Sequence, residues 1–370
     1  MNKKSMKWSA AILSAGLLVG NTSFLSGQSE AVVAAATSVQ ASDVVMKYNG
    51  KTLSAPGKLV KGSTMIPISV FRDDLGLKLS YEAGKGVKTY TVGSGVTQMK
   101  LEVTEYGINT RINDRYIGDN NTSYEAYEAK NINGKLYVPY RVLKEYLGFQ
   151  GSYNSSSKTL TLKKQQQNKV TITSETISDS NNNATMDIRY PKLSGLANAE
   201  AQEAINKTFK DKAEAFAAEA KKKAKDRDAE FEQPYEFHGT FLVTFNRDGV
   251  LSIATDLYEY VGGAHGMTYR EGFTFSLKDG KQLTLDDLLH SSDAAKKKLD
   301  QMLQKETNAD NFNFGFNGLK EDPDFYVSEN GLTVFFQIYE ITSYAMGFPT
   351  YTFSFADLLP KGTDPFADAR

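Results

Sequence analysis

The sequence predicts an α+β fold with two unlike domains: an N-terminal domain of two ββαββ-type repeats, and a C-terminal domain in which helices pack on one side of an antiparallel sheet. Two observations predict this fold. Residues 62–81 and 134–153 align without a gap, and seven of the twenty positions are identical. The rest of the chain is unrepeated, and there one long amphipathic helix precedes several long alternating segments separated by turn residues.

Each repeat carries a short strand that ends at a proline, followed by apolar spacing typical of a helix of about two turns. Pro67 and Pro139 cannot donate to a strand ladder, so each is expected to close its strand. Gly76 and Gly148 follow the helices, at the position where a residue in the left-handed conformation commonly ends a helix. The predicted order is strand, strand, helix, strand, strand in both copies.

This pattern resembles the copper amine oxidase N-terminal-like domain, which is common as tandem copies in secreted Gram-positive proteins. The resemblance rests on the Gly-x-x-x-Val/Ile-Pro segment, the Leu-Gly pair, and the aromatic residue five positions after that glycine. This aromatic residue is Tyr81 in one copy and Tyr153 in the other, where the family usually has tryptophan. The resemblance implies a scaffold or stalk domain over residues 42–162. It implies no oxidase activity, because nothing in the sequence resembles the oxidase's cofactor-forming segment or its histidine ligands.

The second domain is expected over residues 170–360, after a polar linker at 163–169 and before a polar tail at 361–370. Apolar residues at steps of three and four predict a long helix over about 199–226 with one buried face. The predicted strands of this domain after that helix are 237–245, 251–260, 269–277, 332–341 and 351–355.

The amino terminus and the composition indicate an exported protein. Residues 1–36 have the basic start and short apolar run of a signal peptide, with cleavage after Ala36 or as late as Ala41. The chain has no cysteine, which excludes disulfides and thiolate chemistry. Its formal net charge of −1 gives no support for nucleic-acid binding. We therefore expect a secreted protein, extracellular or noncovalently associated with the cell wall, that does not span the membrane after signal removal.

The most distinctive segment of the second domain combines three glycines with a histidine and two tyrosines. Glycine permits sharp turns that other residues resist, and tyrosine offers apolar area together with a polar group. The histidine either bonds a ligand or satisfies the backbone of its own tight loop, and the sequence leaves both roles open. The candidate ligand-binding residues are Tyr258, Tyr260, Gly262, Gly263, His265 and Gly266.

The sequence offers little support for catalysis. None of the three histidines, His238, His265 and His290, is paired with another at zinc-ligand spacing. No nucleophile elbow, phosphate loop or dinucleotide fingerprint is present either. We predict no catalytic residue, no metal and no cofactor. One alternative is a wall-modifying hydrolase that uses His265 with Asp256 or Glu259, and another is a structural spacer or surface-layer component.

A second resemblance covers about residues 170–360. It rests on Gly262-Gly-Ala-His-Gly266, then Phe273-x-Phe-x-Leu-Lys-Asp-Gly-Lys, and later Tyr344-Ala-Met-Gly347. These segments resemble the paired uncharacterised domains of lysozyme-sensing anti-sigma factors, a domain type also found beside secreted peptidoglycan deacetylases. The region of this chain that carries the resemblance has neither the membrane helix of the anti-sigma factors nor the catalytic domain of the deacetylases. The resemblance therefore implies a binding module. We expect a non-catalytic cell-envelope protein that binds a wall glycan or a wall-acting protein such as lysozyme.

Overall fold

The structure is a computed structural model that describes residues 41–118, 124–228, 233–309 and 315–370. The predicted signal segment, 1–36, lies outside these residues. The chain from Val39 to Arg370 forms one compact unit. In the described part, no helix is long and apolar enough to cross a membrane.

The described residues of the first half, 41–118 and 124–164, form thirteen strands and three short α-helices in the order that the repeat predicts, with additional strands between the two copies. Its elements are β1 (Ser42–Tyr48), β2 (Lys51–Thr52), β3 (Gly57–Val60), β4 (Ser63–Pro67), α1 (Ile68–Asp73), β5 (Leu79–Ala83), β6 (Lys88–Val92), β7 (Met99–Val103), β8 (Ile108–Ile112), β9 (Arg115–Tyr116), α2 (Tyr124–Tyr127), β10 (Lys130–Ile132), β11 (Lys135–Pro139), α3 (Tyr140–Tyr146), β12 (Phe149–Asn154) and β13 (Thr159–Lys164).

The two repeats meet through equivalent strands. β4 and β11 pair antiparallel, and Ile66 lies opposite Val138, its counterpart in the other copy. The pairing is therefore symmetric about this residue pair, so the two copies are related locally by a twofold rotation. The Ile66 and Val138 side chains are fully buried, which places the centre of the duplication in the core of the first half.

The closing hairpins of the two copies join different sheets. β12 and β13 extend the eight-stranded sheet, whose order is β10-β11-β4-β3-β1-β13-β12 with β2 beside β1, and β13 lies parallel to β1. β5 and β6 instead pair with the intervening strands in a five-stranded sheet of order β5-β6-β7-β8-β9. The parallel pairing ties the first strand of this half to its last.

The turn residues behave as the sequence predicts. β4 and β11 end at Pro67 and Pro139, and a helix begins at the next residue in both copies. Gly76 and Gly148 have φ angles of 69° and 73°, in the left-handed region that glycine adopts without steric cost. The predicted strand ends and left-handed glycines are confirmed.

The second half, as described over residues 165–228, 233–309 and 315–370, forms eight strands and four α-helices. Its elements are β14 (Thr171–Ser180), β15 (Ala184–Ser194), α4 (Ala199–Lys225), β16 (Tyr235–Arg247), β17 (Val250–Tyr260), β18 (Met267–Ser276), α5 (Leu285–Leu288), α6 (Asp293–Ala309), β19 (Phe325–Ser328), β20 (Gly331–Phe335), β21 (Thr350–Phe353) and α7 (Phe355–Leu358).

Helix α4 covers one face of a five-stranded sheet of order β14-β15-β16-β17-β18. The Asn198 side chain accepts hydrogen bonds from the first-turn N–H groups of Glu200 and Ala201, which fixes the start of the helix. Ile205 and Phe209 from the buried stripe of α4 pack against Phe273 and other apolar residues of the sheet. The α+β fold class and the packing of this helix on one side agree with the prediction.

Two features of this half differ from the predicted single antiparallel sheet. β15 and β16 pair in parallel, because α4 lies between them in the sequence and serves as the crossover that parallel neighbours require. The last three strands form a separate three-stranded sheet of order β19-β20-β21. The periodicity of a segment predicts a strand, but it does not specify the sheet that the strand joins.

The two halves contact each other along β15 and β16. The side chain of Asn113 donates to the carbonyl oxygen of Phe241 at 3.0 Å, and Arg189 bonds Asp114 at 2.7 Å. Leu242 of β16 is buried within the apolar core of the first half. Within the predicted linker, Gln165 is buried and its Nε2 donates to Glu329 at 3.1 Å.

Candidate functional site

The loop between β17 and β18 is shaped by its glycines. Gly262 and Gly263 have φ angles of 95° and 94°, a conformation that other residues rarely adopt. The Tyr260 hydroxyl donates to the carbonyl oxygen of Gly263 at 3.0 Å, which closes the loop on its own strand. A Cβ atom at Gly266 would overlap the ring of Tyr258, so only glycine fits there with the tyrosine in place.

His265 lies exposed at the tip of this loop and stacks on Tyr344, with 3.7 Å between the ring centroids and 22° between the planes. Its Nδ1 lies 2.9 Å from the carbonyl oxygen of Gly266, so Nδ1 carries the donated hydrogen. Its Nε2 lies 3.2 Å from the hydroxyl oxygen of Tyr339. Tyr339 itself is 50% exposed. We call His265, Tyr339 and Tyr344 the aromatic platform.

A second segment, residues 336–348, holds the tyrosines of the platform against the loop. The Gln337 side chain accepts from the backbone N–H of Arg270 at 3.2 Å and donates to its carbonyl oxygen at 2.8 Å, as a neighbouring strand would. The Tyr344 hydroxyl donates to the carbonyl oxygen of Gly266 at 2.9 Å. The platform is therefore fixed by bonds to β18 on one side and to the loop on the other.

Tyr339 has a strained backbone. Its φ angle of 70° lies in the left-handed region, which is a steric outlier for a bulky residue. Strain of this kind persists where the surrounding structure enforces it, and it is concentrated at functional sites. The conformation leaves the Tyr339 ring half exposed beside His265.

The remaining candidate residues lie below and beside the platform. Tyr258 faces His238 across β16 and β17, with the two rings 5.9 Å apart and 18° from parallel. Burial, followed by the nearby Glu236 carboxylate, raises the pKa of the Tyr258 phenol. The structure thus gathers all six candidate residues at one end of β17, where Tyr258 supports the loop and His265 faces solvent.

The sequence did not single out Tyr339 and Tyr344 as site residues. Tyr344 belongs to the Tyr-Ala-Met-Gly segment of the second resemblance, but no local chemical pattern connects it with His265. His265 and Tyr339 are 74 positions apart in the chain. Their proximity depends on the docking of residues 336–348 on β18, a contact that periodicity does not encode.

The two carboxylates proposed as partners of His265 are bonded elsewhere. Asp256 forms a bidentate pair with Arg270 at 2.8 and 2.9 Å, and its Oδ2 also lies 2.7 Å from the guanidinium of Arg115. Glu259 is paired with Lys223 of α4. Among the described contacts, the ring nitrogens of His265 face Gly266 and Tyr339 rather than either acid. This geometry does not assemble the acid–histidine pair of the hydrolase alternative.

Asp256 is a buried charge with two cationic partners. Burial alone would raise the pKa of its carboxyl group, but attraction to Arg115 and Arg270 outweighs burial and holds the pKa below its usual value. The guanidinium of Arg270 also lies over the ring of Phe348, 4.0 Å from its centroid. This cluster connects β9 of the first half with β17 and β18 of the second.

In the parts of the chain that the structure describes, no three His, Asp or Glu side chains are grouped closely enough to hold a metal ion.

Two family models match the second half of the chain. Residues 177–268 match the model described as Deacetylase PdaC, and residues 284–356 match the model described as Protein of unknown function (DUF3298). These matches support the paired domains that the second resemblance predicts, and both are consistent with a protein associated with the cell envelope. The resemblance of the first half to the copper amine oxidase N-terminal-like domain remains a prediction.

The solved structures that are similar to the chain include two of the DUF3298 family. A member of the DUF3298 family from Bacteroides fragilis shares 18% identity with a TM-score of 0.42, over 50% of this chain and 90% of that one. A DUF3298 family protein from Pseudomonas aeruginosa shares 15% identity with a TM-score of 0.33, over 52% of this chain and 96% of that one. No curated protein matches the chain.

Proposed function

We propose that this chain is a non-catalytic binding protein of the cell envelope, and that it binds a wall-acting protein such as lysozyme through the aromatic platform. The observation that carries this proposal is the stack of the exposed His265 ring on the partly buried Tyr344, beside the half-exposed Tyr339. Exposed aromatic residues held in a fixed geometry are typical anchors of protein interfaces.

The form of the platform favours a large ligand. His265 and Tyr339 are exposed and Tyr344 is partly buried, so together the three rings present a surface rather than an enclosed pocket. The hydrogen bonds of Tyr344 and His265 to Gly266 hold the rings in place before any ligand arrives. Such preorganisation reduces the entropy lost on binding.

The platform combines the two segments that match family models. His265 belongs to the segment 177–268, whereas Tyr339 and Tyr344 belong to 284–356. A site built from both segments gives a physical reason for the two to occur together, because neither one contains the whole platform.

The test is a titration of the purified protein with lysozyme by calorimetry. Tyr339→Ala is expected to weaken binding by roughly 2 kcal/mol or more, the loss typical of an aromatic anchor at an interface. Tyr106→Ala is the matched control, because Tyr106 is 91% exposed in the turn between β7 and β8. This control is expected to bind as the wild type does.

The competing functions give different results in the same experiment. One alternative outcome is that the wild type does not bind lysozyme and is instead captured on insoluble peptidoglycan. If Tyr339→Ala abolished that capture, the ligand of the platform would be a wall glycan rather than a protein. Peptidoglycan hydrolysis that disappears in His265→Ala would contradict a non-catalytic role. If Tyr339→Ala bound lysozyme with the affinity of the wild type, the platform would not be part of the interface.

A further inference from the structure

A cleft with a volume of about 700 Å³ lies between the two halves of the chain, away from the aromatic platform. This volume is within the range of roughly 300–1,000 Å³ typical of small-molecule sites. Three walls enclose it: β9, α2 and α3 of the first half, β16 and β18 of the five-stranded sheet, and the three-stranded sheet with parts of α6 and α7. The cleft and the platform share no residue, so each can be tested separately.

One wall carries a row of hydroxyl groups. Tyr326, Thr333 and Thr352 lie side by side on β19, β20 and β21, and all three line the cleft. The hydroxyl of Thr333 lies 2.9 Å from that of Thr352 and 3.1 Å from that of Ser328. Thr333 is only 1% exposed, and Thr352 and Ser328 satisfy its buried hydroxyl.

The opposite wall carries tyrosine rings. Tyr116, Tyr127 and Tyr146 line the cleft from the first half. Tyr116 is 45% exposed, and the guanidinium of Arg111 lies 3.7 Å from its ring centroid, which holds the ring in place. The cleft is therefore lined by tyrosine side chains on one side and by hydroxyl groups on the other.

The charged groups at this wall are paired with one another. Glu145 receives hydrogen bonds from the Tyr127 hydroxyl and the Asn330 amide, each at 2.6 Å, and lies 3.2 Å from Arg141. Glu306 and Asp357, at the opposite side, are exposed acids, and with Glu145 they balance the formal charge of the three arginines in the lining, Arg115, Arg141 and Arg270. The polar groups suited to binding are hydroxyls and amides rather than charges.

Two buried polar atoms of residues that line the cleft have no hydrogen-bond partner in the described structure. They are the Thr244 hydroxyl oxygen of β16 and the Nε of Arg115 in β9. Buried groups of this kind are normally satisfied by protein or ordered water. These two atoms lie in the walls of the cleft, where the described part of the protein itself gives them no partner.

We infer that this cleft binds a short neutral oligosaccharide. Sugar rings present apolar faces that match tyrosine rings, and their rims carry hydroxyl groups that exchange hydrogen bonds with threonine, serine and asparagine side chains. Because both halves line the cleft, the first half contributes residues to this site as well as acting as a scaffold.

The experiment measures binding of two probes to the full protein by calorimetry: a β-linked N-acetylglucosamine tetramer and a glucose tetramer. Binding of at least one probe is expected, and the preferred probe distinguishes an acetylated wall sugar from a general glycan. Tyr116→Ala is expected to weaken this binding at least tenfold. Tyr339→Ala, which alters only the platform, is expected to leave it unchanged.

A second variant distinguishes loss of binding from loss of folding. Thr333→Val combined with Thr352→Val removes both partners of one hydrogen bond while keeping side-chain shape, an exchange that is close to neutral for stability. The double variant is expected to unfold at the wild-type urea midpoint and to bind the probe at least tenfold more weakly. No binding of either probe at millimolar concentration, or unchanged binding in both cleft variants, would overturn the inference.

Discussion

At the scale of single residues, Asp256 connects the two halves of the molecule through charge. Its carboxylate lies between the guanidinium groups of Arg115 and Arg270, and the Arg270 side chain is 1% exposed. Removing one member of a buried ion cluster leaves the other charges without compensation in a medium of low dielectric constant. We therefore expect this cluster to be sensitive both to substitution and to acid.

Asp256→Asn is expected to lower the free energy of unfolding at pH 7 by about 3–5 kcal/mol, the cost of breaking a buried ion pair. The folded-state pKa of Asp256 is lowered, so its contribution to stability is complete above the unfolded-state pKa of about 3.9. That contribution is lost as the pH falls through the folded-state pKa. Urea unfolding of wild type and variant between pH 7 and pH 2 measures both effects.

The control is Asp43→Asn, because the pair between Asp43 and Lys58 lies at the surface, where ion pairs contribute little. As the pH falls into the acid range, the free energy of unfolding of Asp256→Asn should decrease less steeply than that of the wild type. Parallel curves for the two proteins would show that Asp256 is not the acid-sensitive group.

The candidate site was only partly predictable at this scale. Gly262, Gly263 and Gly266 with His265 are distinctive because they are adjacent in the sequence. Tyr339 gives no such signal, since its backbone strain and its bond to His265 exist only in the folded chain. Local sequence therefore identified the loop but not the segment that completes the platform.

At the scale of secondary-structure elements, the strongly periodic segments were predictable and their partners were not. The predicted helix over 199–226 corresponds to α4 at 199–225, because its apolar spacing is regular and its start is capped. The parallel neighbours β15 and β16 were missed, because pairing direction depends on the path of the chain through α4 rather than on either strand alone.

The packing of the two sheets of the second half depends on a glycine. A Cβ atom at Gly272 of β18 would overlap the backbone carbonyl of Phe325 at the start of β19. Backbone atoms cannot turn aside as a flexible side chain can, so β19 must move away from β18 if this residue changes. Close approach of this kind is a common reason for glycine within a strand.

Gly272→Ala is expected to reduce the free energy of unfolding by about 1–3 kcal/mol, the cost usual for overpacking an interior site. The measurement is the midpoint of urea unfolding. Gly84→Ala is the control, because Gly84 is exposed and its Cβ would come no closer than 3.3 Å to any atom of Val87, so it should shift the midpoint little. A Gly272→Ala midpoint equal to that of the wild type would mean that the two sheets do not approach as closely as the structure has them.

At the scale of the whole molecule, the repeat and the unrepeated half have different roles. The first half is organised around the symmetric contact of Ile66 and Val138, and it lines one side of the cleft. The second half carries the aromatic platform, and the family models match there. The duplication was predictable because identical residues keep one register, whereas the cleft between the halves leaves no local pattern in either.

Hydrogen exchange of the protein with and without lysozyme tests the proposed function most directly. Because the proposed interface is the aromatic platform, we expect slower exchange on binding in the loop at residues 261–266 and in the segment 336–348. The repeats at 62–81 and 134–153 should exchange at unchanged rates. Protection confined to the repeats, or no protection at a saturating concentration of lysozyme, would contradict recognition through the platform.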